Sequence, residues 1–493
     1  MARLVIASNR LILPSATDAR AGGLGVAMRE ALRERSGIWF GWSGEVVEKP
    51  ADTPRLSTRG KVTYAAVDLS PAEHKLYYLG HANGTLWPLF HFRLGLMEYR
   101  RDAARVYADV NRRFAKILAS LIEPDDLVWV HDYHLIPLCQ ELRKLGVTNR
   151  VGFFLHTPFP PAEVLIALPR NESMVEALCA YDLVGFQTED GVRAFLGCVT
   201  ELAAGIDLGG GELTAFGRRS RAAAFPVGID TDGFATLAAH ASQSPETHRL
   251  EESLGGRMLI FGVDRLDYSK GIPQRFDAID ALLSDWPEHR LKFSYLQITP
   301  YSRGEVAQYR ALRRQIEQLA GEINGRYAEF DWTPIRYVNR SFSRQTLAGF
   351  HRRARIGLVT PLRDGMNLVA KEFVAAQNPE DPGVLVLSRF AGAAHELRSA
   401  LLVNPIDVDE MAAAMRRGLA MERDERVDRW RAMMEVLRRN TVATWAAGFL
   451  AMLAAAPRSA AHPPRRNDPE PGESSAQSSS GESGPADGLL IRF

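Results

Sequence analysis

Short apolar runs alternate with longer amphipathic stretches along the chain, up to about residue 455. Runs at residues 4–7, 127–130, 151–155, 183–186 and 223–227 read as buried strands. A second set follows at 258–263, 293–298, 335–338, 356–360 and 384–387. Buried strands separated by helical patterns predict parallel sheets covered by helices, an α/β class. At 493 residues the chain exceeds what one hydrophobic core usually supports, so each set is expected to form its own doubly wound unit. The Gly- and Asp-bearing stretch Pro226-Val-Gly-Ile-Asp-Thr-Asp-Gly233 suits the junction between them.

Composition narrows the function classes. The formal net charge of +1 provides no field to draw in nucleic acid or an anionic membrane. Three cysteines, Cys139, Cys179 and Cys198, show no paired spacing, so a reduced cytoplasmic setting is expected. The apolar run before Asn9 is too short for a signal peptide. Residues 440–457 carry no charge before the arginine that follows, but they are Ala-rich and interrupted by Thr441, Thr444 and Gly448, which favours a packed C-terminal helix over a membrane span. From Pro457 the sequence turns to Pro, Ser, Gly and Glu and is expected to be a disordered tail.

The candidate chemistry gathers where predicted strands end. Pro361-Leu-Arg-Asp-Gly-Met-Asn-Leu-Val-Ala-Lys-Glu372 leads from one strand into a helix expected over 368–377. Such a loop offers amides to a diphosphate, and Asp364 and Glu372 suit sugar hydroxyls; an ordinary capped helix start fits the same residues. Asp264-Arg-Leu-Asp-Tyr-Ser-Lys-Gly271 sets Arg265 and Lys270 after another strand, where they could neutralise a leaving diphosphate. Arg303 lies after the strand at 293–298, and Arg10 ends the first strand ahead of Gly22-Gly23-Leu-Gly25. Tyr77 to His91, with Tyr78 and Trp87, and the pair Trp39 and Trp42 read equally as a sugar-binding surface or an aromatic core.

His131-Asp132-Tyr133-His134 and His156 follow strands too, as polar residues poorly explained as core. Their spacing matches no common zinc site. Asp230-Thr-Asp232 and Asp407-Val-Asp409 read as structural, the second as a cap on a helix over 410–419.

Together these motifs, with Leu86-Trp-Pro88, Gly152-Phe-Phe-Leu-His156, Gly185-Phe-Gln-Thr188 and Ser302-Arg-Gly304, run in one register over residues 3–455 and resemble the trehalose-6-phosphate synthase family. The resemblance implies a GT-B architecture: an acceptor domain over 1–228, a donor domain over 229–438, and a helix at 439–456 crossing back to the first domain, with the tail at 457–493. It implies retaining transfer of glucose from UDP-glucose to glucose 6-phosphate, with no metal or other cofactor. Arg10, Tyr78, Trp87, Asp132 and Arg303 would bind the acceptor. Gly22, Gly23, Arg265, Lys270, Phe342, Asp364, Met366, Asn367, Leu368, Val369 and Glu372 would bind the donor, with His156, Arg265, Lys270 and Asp364 at the chemistry. Nucleic-acid and membrane partners are not expected; a homo-oligomer and a functional link to trehalose-6-phosphate phosphatase fit the same family.

One departure stands out. Gly80-His81-Ala82 precedes Asn83 where the family commonly has an aromatic residue and a serine, which leaves the acceptor less secure than the donor. A sister transferase with another acceptor, such as a glucosylglycerol-phosphate synthase, and a silent sugar-phosphate-sensing subunit are the competing readings.

Overall fold

A computed structural model of the chain describes residues 3–11, 28, 32, 36–300 and 307–457. The first sheet comprises β1 (Leu4–Arg10), β2 (Gly37–Val46), β3 (Arg55–Arg59), β4 (Val62–Leu69), β5 (Leu127–His131), β6 (Val151–Phe154), β7 (Leu183–Phe186), β8 (Ile206–Gly209), β9 (Glu212–Ala215) and β10 (Arg218–Ala224). Its spatial order is β3-β4-β2-β1-β5-β6-β7-β10-β9-β8. Pairing is parallel from β4 across to β10 and antiparallel at the flanks. The second sheet comprises β11 (Met258–Val263), β12 (Phe293–Ile298), β13 (Ile335–Val338), β14 (Ile356–Val359), β15 (Val384–Ser388) and β16 (Leu401–Val403). It is parallel throughout, in the order β13-β12-β11-β14-β15-β16.

In both sheets the winding direction reverses once, between β1 and β5 and between β11 and β14. Helices leave in opposite directions at such a point and open a crevice beyond the strands' carboxyl ends. The two crevices meet, and the whole is the GT-B arrangement that the resemblance implied.

Every strand predicted from an apolar run is present, most within one residue of the expected end. The strand expected at 223–227 instead spans Arg218–Ala224, because Arg219 and Arg221 face solvent while Ser220 and Ala222 face inward. Phe225 still donates to the Phe186 carbonyl at 2.7 Å, but Pro226 has no N–H with which to continue the ladder. β2, β3, β4, β8, β9 and β16 are not predicted by the apolar pattern. β3 and β8 are exposed at every residue, so no hydrophobic signal marks them.

Both Asp-x-Asp sequences open helices. Asp230 accepts from the Gly233 N–H and Asp407 from the Glu410 N–H, each as the N-cap. The second helix spans Val408–Ala420, one turn wider than expected.

The uncharged C-terminal stretch is a helix, Val442–Ala455, that packs on the first sheet. Phe449 stacks on Trp129 at 4.6 Å and meets Phe225 edge-on at 5.1 Å. Glycines make the room: a Cβ at Gly152 or Gly185 would lie 2.8 Å from the Phe449 ring. Arg150 ties down the far end by donating to the Ala456 carbonyl at 2.6 Å. No described helix is long and apolar enough to cross a membrane. One hydrophobic cluster includes Trp129 and Phe154, then Trp445 and Phe449, then Phe261 and Val374, so the last helix joins the cores of both sheets. Phe449→Ala is therefore expected to cost about 3–5 kcal/mol and lower the thermal midpoint. An unchanged midpoint in scanning calorimetry would remove this helix from the load between the two sheets.

Candidate functional site

The first wall begins where β1 ends. Trp39 donates to the Ser8 hydroxyl at 2.8 Å, and Tyr77 donates to the Asn9 side-chain carbonyl at 2.8 Å. These bonds hold the strand's last turn and leave Arg10 exposed, its guanidinium 5.6 Å from the Trp42 ring centroid. Gly44, at φ 97°, lets it lie there, since a Cβ at that position would be 2.7 Å from the guanidinium. Trp39 is thus a core residue, whereas Trp42 backs the site from beneath.

Tyr78 sits on the helix His74–Leu86, whose bonding runs i→i+5, as in Trp87 N–H to the Ala82 carbonyl. Helices this wide are rare and occur at functional sites. Its ring lies between Trp42 at 5.3 Å and His134 at 5.9 Å. Asn83 donates to the Tyr78 carbonyl at 2.7 Å and accepts from the Tyr133 hydroxyl at 2.9 Å. His81 points elsewhere: it is buried 4.6 Å from the Tyr107 ring, where burial pushes its pKa down to about 4. The unusual Gly80-His81-Ala82 therefore repacks the interior behind the wall, while Asn83 still braces Tyr78.

Asp132 follows β5 with φ 73° and ψ 163°, a region that only glycine occupies freely. Its N–H donates to the Phe154 carbonyl at 2.9 Å, its carbonyl accepts from the Leu135 N–H at 3.1 Å, and its carboxylate accepts from the His156 N–H at 3.3 Å. His156 Nε2 lies 3.1 Å from His131 Nδ1. Burial pushes the His156 pKa down to about 3 and, together with the neighbouring ring, pushes His131 well below its ordinary value. Both imidazoles are neutral near pH 7, one donating to the other.

The second wall is built from the loops after β11 and β14. Gly271, at φ 66°, brings these loops together; a Cβ there would be 2.5 Å from the Thr360 carbonyl. Lys270 pairs with Asp364, and Asn367 donates to the same carboxylate oxygen at 3.1 Å. Burial alone would raise the Asp364 carboxyl, but the Lys270 charge overrides it and holds the pKa below its ordinary value. Asn367, at φ 73°, caps the helix Leu368–Ala376 by accepting from the Ala370 N–H at 3.3 Å. The first-turn amides of Leu368 and Val369 have no partner within the helix and face the same crevice end. Met366 is buried, with its carbonyl accepting from Ala393 at 2.8 Å. Glu372 lies one turn further along, where burial lifts its pKa to about 7 against the pull of Arg344. Phe342 is half-buried, with the Arg340 guanidinium 4.6 Å from its ring.

The walls touch. Arg265 lies 4.6 Å over the Trp87 ring, and the Trp87 indole N–H reaches Asp267 at 3.4 Å. Asp267 is buried and also holds the Ser269 N–H at 3.0 Å, Arg265 at 3.3 Å and the Tyr309 hydroxyl at 3.3 Å. It belongs to a motif legible in the sequence, yet its role was missed; a carboxylate inside an otherwise basic loop was the available signal. His131 is marked in the sequence as a polar strand-end residue but given no role there, and Asn83 is given none either. Gly365 closes the contact, since a Cβ there would be 2.0 Å from the His156 carbonyl. The structure thus brings Arg10, Tyr78, Trp87, Asp132 and His156 to one side and Arg265, Lys270, Asp364 and Leu368 to the other. Phe342 and Glu372 lie further along the second side. Gly22, Gly23 and Arg303 fall outside the described residues.

Such a cleft can hold a polyanion against cations and amides while a neutral, sugar-like group lies between His156 and Asp364. The family model for glycosyltransferase family 20 matches residues 8–455. The trehalose-6-phosphate synthase of Sinorhizobium fredii is 50% identical over 454 residues, 91% of this chain and 98% of that one. An α,α-trehalose-phosphate synthase (UDP-forming) from Burkholderia xenovorans, solved with glucose-6-phosphate, superposes with a TM-score of 0.88 at 48% identity, covering 92% of this chain and 99% of that one. The E. coli enzyme bound with UDP-2-fluoro glucose gives 0.89 at 46% identity, covering 93% and 100%. A match of this length, over both sheets and the helix that joins them, makes the chain a member of glycosyltransferase family 20.

Proposed function

We propose that this protein transfers glucose from UDP-glucose to glucose 6-phosphate with retention, releasing UDP and α,α-trehalose 6-phosphate. The observation that carries the reading is the second wall: Arg265, the Lys270–Asp364 pair and the open amides at Leu368 and Val369 converge at one strand reversal. Relatives bearing this activity by name, some solved with glucose-6-phosphate or a UDP-glucose analogue, support it.

In the mechanism the C1–O bond to the diphosphate breaks as the acceptor hydroxyl approaches from the same face. The hydroxyl proton passes to the departing phosphate oxygen. Arg265, Lys270 and the helix amides stabilise the charge growing on that oxygen, in a cleft from which closure excludes water. His156 stays unprotonated at neutral pH and orients a sugar hydroxyl rather than taking the proton. Asp364 is kept ionised by Lys270 and accepts from the transferred glucose. Phe342 lines the nucleotide pocket and Glu372 accepts from the ribose hydroxyls. Arg10, Tyr78, Trp87 and Asp132 form the acceptor wall, with Arg303 as a second phosphate grip and Gly22 and Gly23 against the donor. The buried, unpaired cysteines suit a cytoplasmic enzyme, and a phosphomonoester product suits a downstream phosphatase.

The placement of His81 away from Tyr78 favours glucose 6-phosphate over the acceptor of a sister enzyme. A panel of sugar-phosphate and polyol-phosphate acceptors, scored by UDP release, is expected to respond to glucose 6-phosphate, and Arg10→Ala to raise its KM. A preference for glycerol 3-phosphate, or an Arg10→Ala effect confined to UDP-glucose, would overturn this assignment.

Arg265→Ala is expected to lower kcat about 10²-fold, about 2.7 kcal/mol, because leaving-group charge peaks in the transition state. Single-turnover kinetics with unchanged chemistry would reassign Arg265 to Trp87 packing alone.

Glu372 ties pH to both binding and stability. Its carboxylate form accepts the ribose hydroxyls, so UDP affinity should weaken as pH falls through about 7. In the unliganded fold the raised pKa means that ionisation opposes folding: its stabilising effect is present at low pH and lost as pH rises through about 7. Glu372→Gln should therefore raise the unliganded thermal midpoint at pH 8, with the gain shrinking toward pH 5, while weakening UDP binding. A midpoint that drops at pH 8 would show that the carboxylate is satisfied in the free enzyme.

A further inference from the structure

Behind the Asp364–Gly365 loop lies a cavity of about 340 Å³ that the reaction above does not use. Its apolar walls are Phe92, Phe159 and Phe186 from the first unit and Phe390 from the second. The volume falls at the small end of metabolite-binding cavities. Two polar groups in it are unemployed.

The Arg363 guanidinium is flanked by the Phe92 ring at 3.8 Å and the Phe390 ring at 5.6 Å, and makes no hydrogen bond or ion pair among the described residues. A guanidinium covered on its faces keeps its N–H edge for a planar or tetrahedral oxyanion. Phe92 adopts φ 58° to stand against Arg363, an outlier for a bulky residue. From the opposite wall comes Thr157, 6% exposed, whose hydroxyl has no hydrogen-bond partner. A buried hydroxyl without a partner costs about 1–3 kcal/mol, so an occupant that accepts from it is favoured.

The other charged groups of the lining are spoken for. Asp364 is paired with Lys270, Arg389 with Glu410, and Asp190 with Arg193 and with His395 at 3.3 Å. Asp190 and His395, each about half exposed, stand at the mouth. Arg363 is left without a direct ion pair, and Asp190 is the carboxylate near enough to attract its charge.

We propose that this cavity is a second anion site, taking inorganic phosphate or a small phosphomonoester, with Arg363 as the cation and the Thr157 hydroxyl as a donor. Because one residue comes from each unit, an occupant bridges them. It also shares the Asp364–Gly365 backbone with the transfer site, and Gly392 packs directly on that backbone, since a Cβ there would lie 1.9 Å from the Gly365 carbonyl.

Isothermal titration of inorganic phosphate, and separately of glycerol 3-phosphate, into the full-length protein saturated with UDP and glucose 6-phosphate reads this site with the reaction's own anion positions filled. One saturable site is expected, weakened at least about tenfold by Arg363→Gln and several-fold by Thr157→Val. Tighter binding of the ester would identify an organic phosphate as the occupant, and equal affinities the phosphate group alone; both support the site. Absence of saturable heat at about 10 mM ligand, or a site indifferent to both substitutions, would overturn the proposal. Thr157→Val changes neither charge nor shape and decides the matter alone if Arg363→Gln loses the folded circular-dichroism spectrum.

Discussion

The second wall of the cleft depends on one buried guanidinium. Arg275, on the helix Ile272–Asp285, is fully enclosed and pairs with Asp264 at 2.7 Å. It also donates to the Thr360 hydroxyl at 3.0 Å, to the Gln297 side chain at 3.1 Å and to the Lys270 carbonyl at 3.0 Å. These partners are the ends of β11, β12 and β14 and the loop that carries Lys270. Burying a charge is favourable only when it is paired and fully hydrogen-bonded, and removing one partner typically costs 3–5 kcal/mol. The network therefore tolerates little displacement. Arg265, Lys270 and Asp364 inherit that rigidity, which is what a charge-stabilising site needs before the charge appears.

The first wall is fixed differently. Its residues ride on the wide helix His74–Leu86 and on the single strained residue Asp132, and are held by side-chain bonds such as Tyr77–Asn9 and Tyr133–Asn83. One wall is a set of sheet ends clamped by a buried ion pair; the other is a packed aromatic surface braced by amides. Asp267 is where they become one site, because a single enclosed carboxylate receives Trp87 from one wall and Arg265 from the other. In the proposed reaction the second wall would stabilise the growing charge, and the first wall is held against it.

This division also explains what was legible in the sequence. Strands buried on both faces announce themselves as apolar runs, so β5, β6, β7 and most of the second sheet could be read directly. Polar residues just past those runs marked Asp132, His156, Arg265 and Lys270, because strand ends in such sheets face a crevice. β2 was hidden by glycines and tryptophans that suit a surface or a core equally, and β3 and β8 by full exposure. The wide helix has no periodic signature at 3.6 residues, so Tyr78 could be named but not placed. Arg275 was invisible for a plainer reason: a lone arginine on an amphipathic helix is normally solvated, and only tertiary packing turns it into the clamp.

The neutrality of His131 and His156 follows from the same architecture. The closing helix sets Trp445 6.4 Å from the His131 ring and 6.2 Å from that of His156, and Phe154 stands 4.7 Å from His156. That apolar surround is what pushes both imidazoles toward their neutral forms. A helix far along the chain thereby sets the neutral state of the imidazole that, in the proposed reaction, faces the transferred sugar. In the proposed reaction the departing phosphate takes the proton of the incoming hydroxyl, so that mechanism would rest on packing as much as on the charges the cleft displays.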